Sequence, residues 1–249
     1  MAFGQAQRLE MHACPLDLRY EFSLKGVEAQ CGFFTSLLSH DEPSRGEVKL
    51  NFLELKSLKV SDETILYLEG GPGGAATGRY KLWLDHPLRE DYNIILLDQR
   101  GTGGSSPTLN CPLSTLDPIL AMQRCLKNFE GDLSYFNSRE SASDVALFIE
   151  TLNLSEVNLL GVSYGTRLAL TVMRDHPERI RSVVLDSTYP PQVDRLATLA
   201  SNAERVFEKL FNLCEHQKTC ARAYPGLKNE FIAAIEAYNF LPLDFPCSI

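Results

Sequence analysis

The 249-residue chain sets 24 Lys and Arg against 32 Asp and Glu, a formal charge of −8 with no basic block, so neither nucleic acid nor anionic membrane is expected as a partner. Arg8, Glu10, Asp17 and Arg19 interrupt the N-terminal stretch before a secretory signal can form, and no apolar run approaches the ~20 residues of a spanning helix. A soluble, cytoplasmic protein with one sizeable core is expected. Its seven cysteines include no C-x-x-C pair, which argues against a metal site. Scattered free thiols are the simpler reading, with Cys111–Cys125 and Cys214–Cys220 as the candidate disulfides in an oxidising compartment.

Residues 1–30 carry no strong period and read as a leader. Gly32, Phe33, Phe34 and Thr35 form a short β-prone run, His40 to Gly46 supplies a turn with Pro43 and Gly46, and Val48, Leu50 and Phe52 alternate with polar residues. The pair predicts an antiparallel hairpin, with a bulge where Leu53 and Leu55 change phase. A buried strand over Thr64–Leu68 runs into Glu69 and then Gly70-Gly71-Pro72-Gly73-Gly74. So little side-chain bulk lets backbone N–H groups approach a developing oxyanion. The loop lacks the G-x-x-x-x-G-K-[ST] pattern of a nucleotide phosphate loop.

The next buried strand, Asn93–Leu97, ends in Asp98-Gln99-Arg100-Gly101. An Asp-x-Arg in a tight turn is expected to fix the loop by hydrogen bonds and charge pairing. Residues 108–136 read as irregular. Asn137 with Glu140 marks a helix start, and Val145, Phe148, Ile149 and Leu152 give that helix an apolar stripe.

The centre of the chain is the stretch that follows. Val157, Leu159 and Leu160 suit a buried strand, and Leu168, Ala169, Val172 and Met173 fall at helical spacing. Between them lies Gly161-Val162-Ser163-Tyr164-Gly165, the layout of a serine nucleophile on a strained strand-to-helix turn flanked by residues without side chains. A buried strand over 180–185 ends at Asp186. Two amphipathic helices follow with no strand between them, one through Ala203, Val206, Phe207, Leu210 and Phe211, the other through Leu227, Phe231, Ala234, Ile235 and Tyr238. Strands alternating with helices predict an α/β fold whose mostly parallel sheet is covered on both faces, extended by a helical appendage.

Taken together, Gly70-Gly71-Pro72-Gly73, Asp98-Gln99-Arg100-Gly101 and Gly161-Val162-Ser163-Tyr164-Gly165 resemble the proline iminopeptidase and tripeptidyl aminopeptidase group of α/β-hydrolases. After the leader over 1–30, the resemblance implies the N-terminal part of the hydrolase core over 31–190 and the start of a helical cap domain over 191–249. It makes Ser163 the catalytic nucleophile of a serine aminopeptidase and Gly71 and Tyr164 the oxyanion donors, with neither metal nor cofactor. Substrates would be peptides with free N-termini, whose ammonium needs a carboxylate; Glu69, Glu204 and Glu208 are the substrate-binding candidates. Many members have His where this chain has Glu69.

In this fold the acid and the base follow the nucleophile in chain order. Of the five histidines, only His176 and His216 follow Ser163, and neither suits a general base. The acid and base are therefore expected beyond Ile249, with Asp186 a lesser possibility for the acid. The competing functions are an esterase using the same serine and a non-catalytic, hydrolase-like binding module.

Overall fold

The computed structural model describes residues 8–14, 28–111, 117–129 and 131–240. The chain divides into two compact units, Met1–Pro191 and Gln192–Ile249.

The first unit is built on a seven-stranded mixed sheet: β1 (Leu9–His12), β2 (Ala29–Leu37), β3 (Glu47–Leu55), β4 (Thr64–Leu68), β5 (Asn93–Leu97), β6 (Val157–Val162) and β7 (Ile180–Asp186). Their spatial order is β1-β2-β3-β5-β4-β6-β7. The pairs from β1 through β3 to β5 are antiparallel, and those joining β5, β4, β6 and β7 are parallel. The parallel half carries the serine turn. Its helices are α1 (Tyr80–Leu84), α2 (Pro118–Lys127), α3 (Ser138–Thr151) and α4 (Tyr164–Asp175).

Two apolar clusters occupy the two faces of the sheet. One joins Phe34, Val48, Leu50, Phe52, Leu66 and Leu159 to Val145, Phe148 and Ile149 of α3 and to Leu168 and Val172 of α4. Phe148 lies 5.2 Å from both Phe34 and Phe52, ring centre to ring centre, separations favourable for aromatic pairs. The other holds Leu53, Leu55, Ile65, Tyr67, Ile94 and Leu96 against Trp83 and Leu84. The Asn137 side chain accepts from the Arg139 and Glu140 amides and so starts α3.

Several sequence expectations are corrected. The hairpin register runs unbroken from Ala29↔Leu55 to Leu37↔Glu47, without a bulge at Leu53. The change of phase arises because the C-terminal part of β3 pairs with β5 and is buried on both faces, Phe52 facing one cluster and Leu53 and Leu55 the other. Within the stretch read as a leader, Leu9–His12 pairs with β2. The irregular stretch contains α2, whose N-cap Asp117 accepts from the Ile119 and Leu120 amides. Strand β7 is not fully buried; its side chains alternate between half-buried and exposed.

The cysteines are paired rather than free. Disulfides join Cys14 to Cys31, Cys111 to Cys125 and Cys214 to Cys220. Cys247 lies outside the described residues, as do Pro242 and Pro246, which the sequence reads as closing the chain before any strand reappears. The second unit contains α5 (Arg195–His216), α6 (Lys218–Ala223) and α7 (Leu227–Phe240), with Phe207 and Phe211 of α5 packed on Phe231 of α7. Among the described residues no helix is long and apolar enough to cross a membrane.

Candidate active site

Ser163 sits between β6 and α4 with φ 53° and ψ −115°, a region that costs a residue bearing a side chain on the order of 1–3 kcal/mol. The surrounding backbone holds it there. Its N–H donates to the Asp186 carbonyl at 2.9 Å, and its carbonyl accepts from the amide and the hydroxyl of Thr166 at 3.0 and 2.6 Å. The same Thr166 hydroxyl oxygen accepts from the Tyr189 amide. Tyr164 follows as the first residue of α4, and the first amides of a helix have no partner within it. The Ser163 side chain is exposed, while the Tyr164 hydroxyl lies 2.7 Å from Ser138 Oγ and ties the starts of α3 and α4 together.

The glycines flanking the serine are there for want of space. A Cβ on Gly161 would lie 2.5 Å from the Gly165 carbonyl oxygen, and one on Gly165 would collide with the Leu68 carbonyl at the end of β4. Gly70, the first residue of the glycine loop, faces Ser163: a Cβ there would be 2.9 Å from the serine Cβ. Gly71 follows with φ 118°, a conformation glycine alone adopts without strain.

Glu69 is the post around which this loop winds. Its Oε1 accepts from the Gly70 amide at 2.8 Å, and its Oε2 accepts from the Tyr67 hydroxyl at 3.1 Å and from Arg79 Nε at 2.6 Å. Its backbone carbonyl accepts from Gln99 Nε2. Burial alone would raise the Glu69 pKa, but the Gly70 amide, the Arg79 guanidinium and the Tyr67 hydroxyl outweigh it and hold the carboxyl below its ordinary value. Burial, with the neighbouring carboxylate, pushes Tyr67 up to about 12.

Asp98 fixes the second loop, as its position suggests. Its carboxylate accepts from the Thr77 amide and hydroxyl, from Asn51 Nδ2 and from the Gly104 amide. Arg100 turns the other way, into a buried pair with Asp144 whose Nε–Oδ2 and Nη2–Oδ1 distances are both 2.7 Å. Ser36 and His40 also reach Asp144 Oδ1, at 2.5 and 3.0 Å. This brings a Ser, a His and an Asp together, yet Ser36 is fully buried and gives its proton directly to the carboxylate; the cluster is a structural clamp.

Most of the remaining predicted groups have partners of their own. Glu204 and Glu208 are on α5 of the second unit, the first exposed and the second half-buried, and Glu208 pairs with Lys228 at 2.5 Å. The Asp186 carboxylate is exposed and accepts from Ser187 Oγ. His176 caps the far end of α4, about 18 Å along the helix at ~1.5 Å per residue, with Nε2 3.1 Å from Ser143 Oγ. His216 contacts the Asn212 carbonyl within α5. His86 packs on Trp83. Four strands separate β1, with His12, from β6, about 24 Å at ~4.8 Å per strand.

A groove of about 1000 Å³ runs past His40, Arg139, Arg174 and His176 at the end of α4 remote from the serine. A cleft of about 320 Å³ lies instead beside the turn, between Pro72 and Gly73 of the glycine loop, Leu109, Asn110, Phe136 and Tyr164. Among the described residues lining it the one ionic group is Arg100, which is satisfied by Asp144 and by backbone carbonyls. Sequence reasoning passed over Leu109, Asn110 and Phe136 because they fall in the segment it read as irregular.

Residues 63–220 match the alpha/beta hydrolase fold family, and the chain belongs to that family. It is 31% identical over 177 residues to a proline iminopeptidase of Aeromonas sobria, covering 68% of this chain and 40% of the relative. A tripeptidyl aminopeptidase of Streptomyces lividans is 23% identical, with 67% and 36% covered. A crystal structure of a proline iminopeptidase-related protein from Thermus thermophilus aligns with TM-score 0.41 and 21% identity, covering 64% of this chain and 44% of that one. The chain thus spans less than half the length of these relatives.

Proposed function

We propose that this α/β hydrolase is a serine aminopeptidase in which Ser163 attacks the carbonyl of an N-terminal residue to form an acyl-enzyme, with the Tyr164 and Gly71 amides receiving the oxyanion. The observation that carries the reading is the strained, backbone-pinned Ser163 facing the glycine loop across Gly70. A donor of this kind is worth about 3 kcal/mol to the transition state. The peptidase class is supported by the names of the relatives. The neutral cleft beside Tyr164 suits an uncharged part of the substrate, such as main chain or an apolar side chain.

A serine hydroxyl needs a proton acceptor. The four histidines of the first unit are turned to Ala13, Asp144, Leu88 and Ser143, so in this proposal the base and its acid come from polypeptide other than these residues. Ammonium recognition by Glu69 is replaced, in the same proposal, by a role in holding the loop, because three donors already occupy its carboxylate. The three disulfides favour an oxidising compartment over the cytoplasm.

The test is a panel of peptides with free or acetylated N-termini, alongside small acyl esters, offered to the longest natural polypeptide containing this chain and to its Ser163→Ala variant. Serine-dependent cleavage confined to free N-termini is expected. Serine-dependent turnover of esters alone would make the protein an esterase, and no serine-dependent turnover would leave a binding module.

A further inference from the structure

The glycine loop carries a negative charge next to the place where the proposed reaction builds another. The Glu69 carboxylate is bonded to the Gly70 amide, Gly70 faces the Ser163 side chain, and the next residue, Gly71, is the proposed oxyanion donor. A buried carboxylate so placed opposes an oxyanion unless its charge is balanced. Balance comes from Arg79, whose Nε lies 2.6 Å from Glu69 Oε2 while its own side chain is 54% exposed. Arg79 is delivered by the short 3-10 turn Thr77–Arg79, and the first residue of that turn is fastened by its amide and hydroxyl to Asp98.

From this linkage we infer that Glu69 and Arg79 are positioning residues of the oxyanion site: Glu69 orients the Gly70–Gly71 backbone, and Arg79 cancels the charge that this orientation brings in. The inference rests on Ser163 being the nucleophile. It assigns a purpose to the Asp98-Gln99 motif as well. Asp98 anchors the turn bearing Arg79 and Gln99 anchors the Glu69 carbonyl, so the second motif serves the site through the first. The two residues act unequally. Loss of Arg79 leaves an unbalanced carboxylate beside the oxyanion, whereas loss of Glu69 charge leaves an arginine free to turn to solvent.

The experiment measures the second-order rate of Ser163 phosphonylation by a fluorophosphonate in the longest natural polypeptide containing this chain, for wild type, Arg79→Met, Arg79→Lys, Glu69→Gln and the double variant Glu69→Gln/Arg79→Met, with a thermal melt of each. Arg79→Met should slow labelling at least tenfold at temperatures well below its melting temperature, where the variant is fully folded, and Arg79→Lys should restore most of the rate. The double variant should label at least threefold faster than Arg79→Met. A double variant no faster than Arg79→Met, or rates that simply follow the melting temperatures, would overturn the charge-balance inference while leaving the nucleophile intact. Wild-type protein that fails to label at Ser163 would overturn both.

Discussion

The Cα of Gly161 faces the carbonyl oxygen of Gly165 so closely that a Cβ on the former would lie 2.5 Å from it. The end of strand β6 and the first turn of helix α4 therefore interlock around Ser163, and the helix start is in turn pressed against the Leu68 carbonyl of β4. The serine turn is a point where three elements touch by backbone.

Adding a methyl group there should disturb the fold as well as the chemistry. Gly165→Ala is expected to cost about 3 kcal/mol, at the upper end of the ~1–3 kcal/mol typical of overpacking, because backbone rather than a side chain must yield. Gly78→Ala, whose added methyl would meet only Ala75 Cβ at 3.7 Å, is the control and should change stability little. Urea denaturation of both variants checks this.

Acid should release the Arg100–Asp144 clamp. Burial by itself would raise the Asp144 pKa, but bonds from His40, Arg100 and Ser36 outweigh it and hold the carboxyl below its ordinary value. A depressed folded-state pKa contributes stability above the unfolded value of about 3.9, and that stability is lost as pH falls through the folded value. The urea midpoint of the wild type should therefore drop below about pH 4. Asp144→Asn should lose about 3–5 kcal/mol at pH 7, since it strands a buried guanidinium, and should show a shallower acid dependence than the wild type.

Much of this was legible in the sequence because local pattern and tertiary context agree there. Asn137 caps α3, the alternation of Val48, Leu50 and Phe52 marks β3, and the apolar run of β6 leads to the turn at Ser163. What was missed depends on partners distant in sequence. Leu9–His12 is too short to announce itself and becomes a strand only by pairing with β2. The α2 helix falls in the stretch read as irregular, and the signal that marks its start is the Asp117 cap followed by Pro118. The commitment of Glu69 to Arg79, and of Arg100 to Asp144 some 44 residues away, could not be read from spacing at all.

Reduction should destabilise the protein in steps that follow loop size. In the chain-entropy account, the separations of 17 and 14 residues at Cys14–Cys31 and Cys111–Cys125 correspond to about 3 kcal/mol each. The separation of 6 at Cys214–Cys220 corresponds to about 2 kcal/mol. Paired Cys→Ala variants, melted with and without dithiothreitol, measure each contribution. Variants as stable as the wild type would show that the bridges do not constrain the unfolded chain.

Strand β7 ends the sheet among the described residues, and Val184 on it is 56% exposed. Open strand edges with apolar side chains recruit other chains. Val184→Lys in the isolated 249-residue chain should keep the fold, as followed by circular dichroism, and lower aggregation in light scattering. Unchanged scattering would place the sticky surface elsewhere.

Every role proposed around the turn depends on Ser163 being a nucleophile, and peptide mapping after fluorophosphonate treatment reads this most directly. In the longest natural polypeptide containing this chain, one phosphonyl adduct is expected on the peptide bearing Ser163 and none there in the Ser163→Ala variant, whose unfolding free energy should lie within about 1 kcal/mol of wild type because the substitution is on the surface. An unmodified Ser163, or an adduct at another serine that survives the substitution, would contradict it.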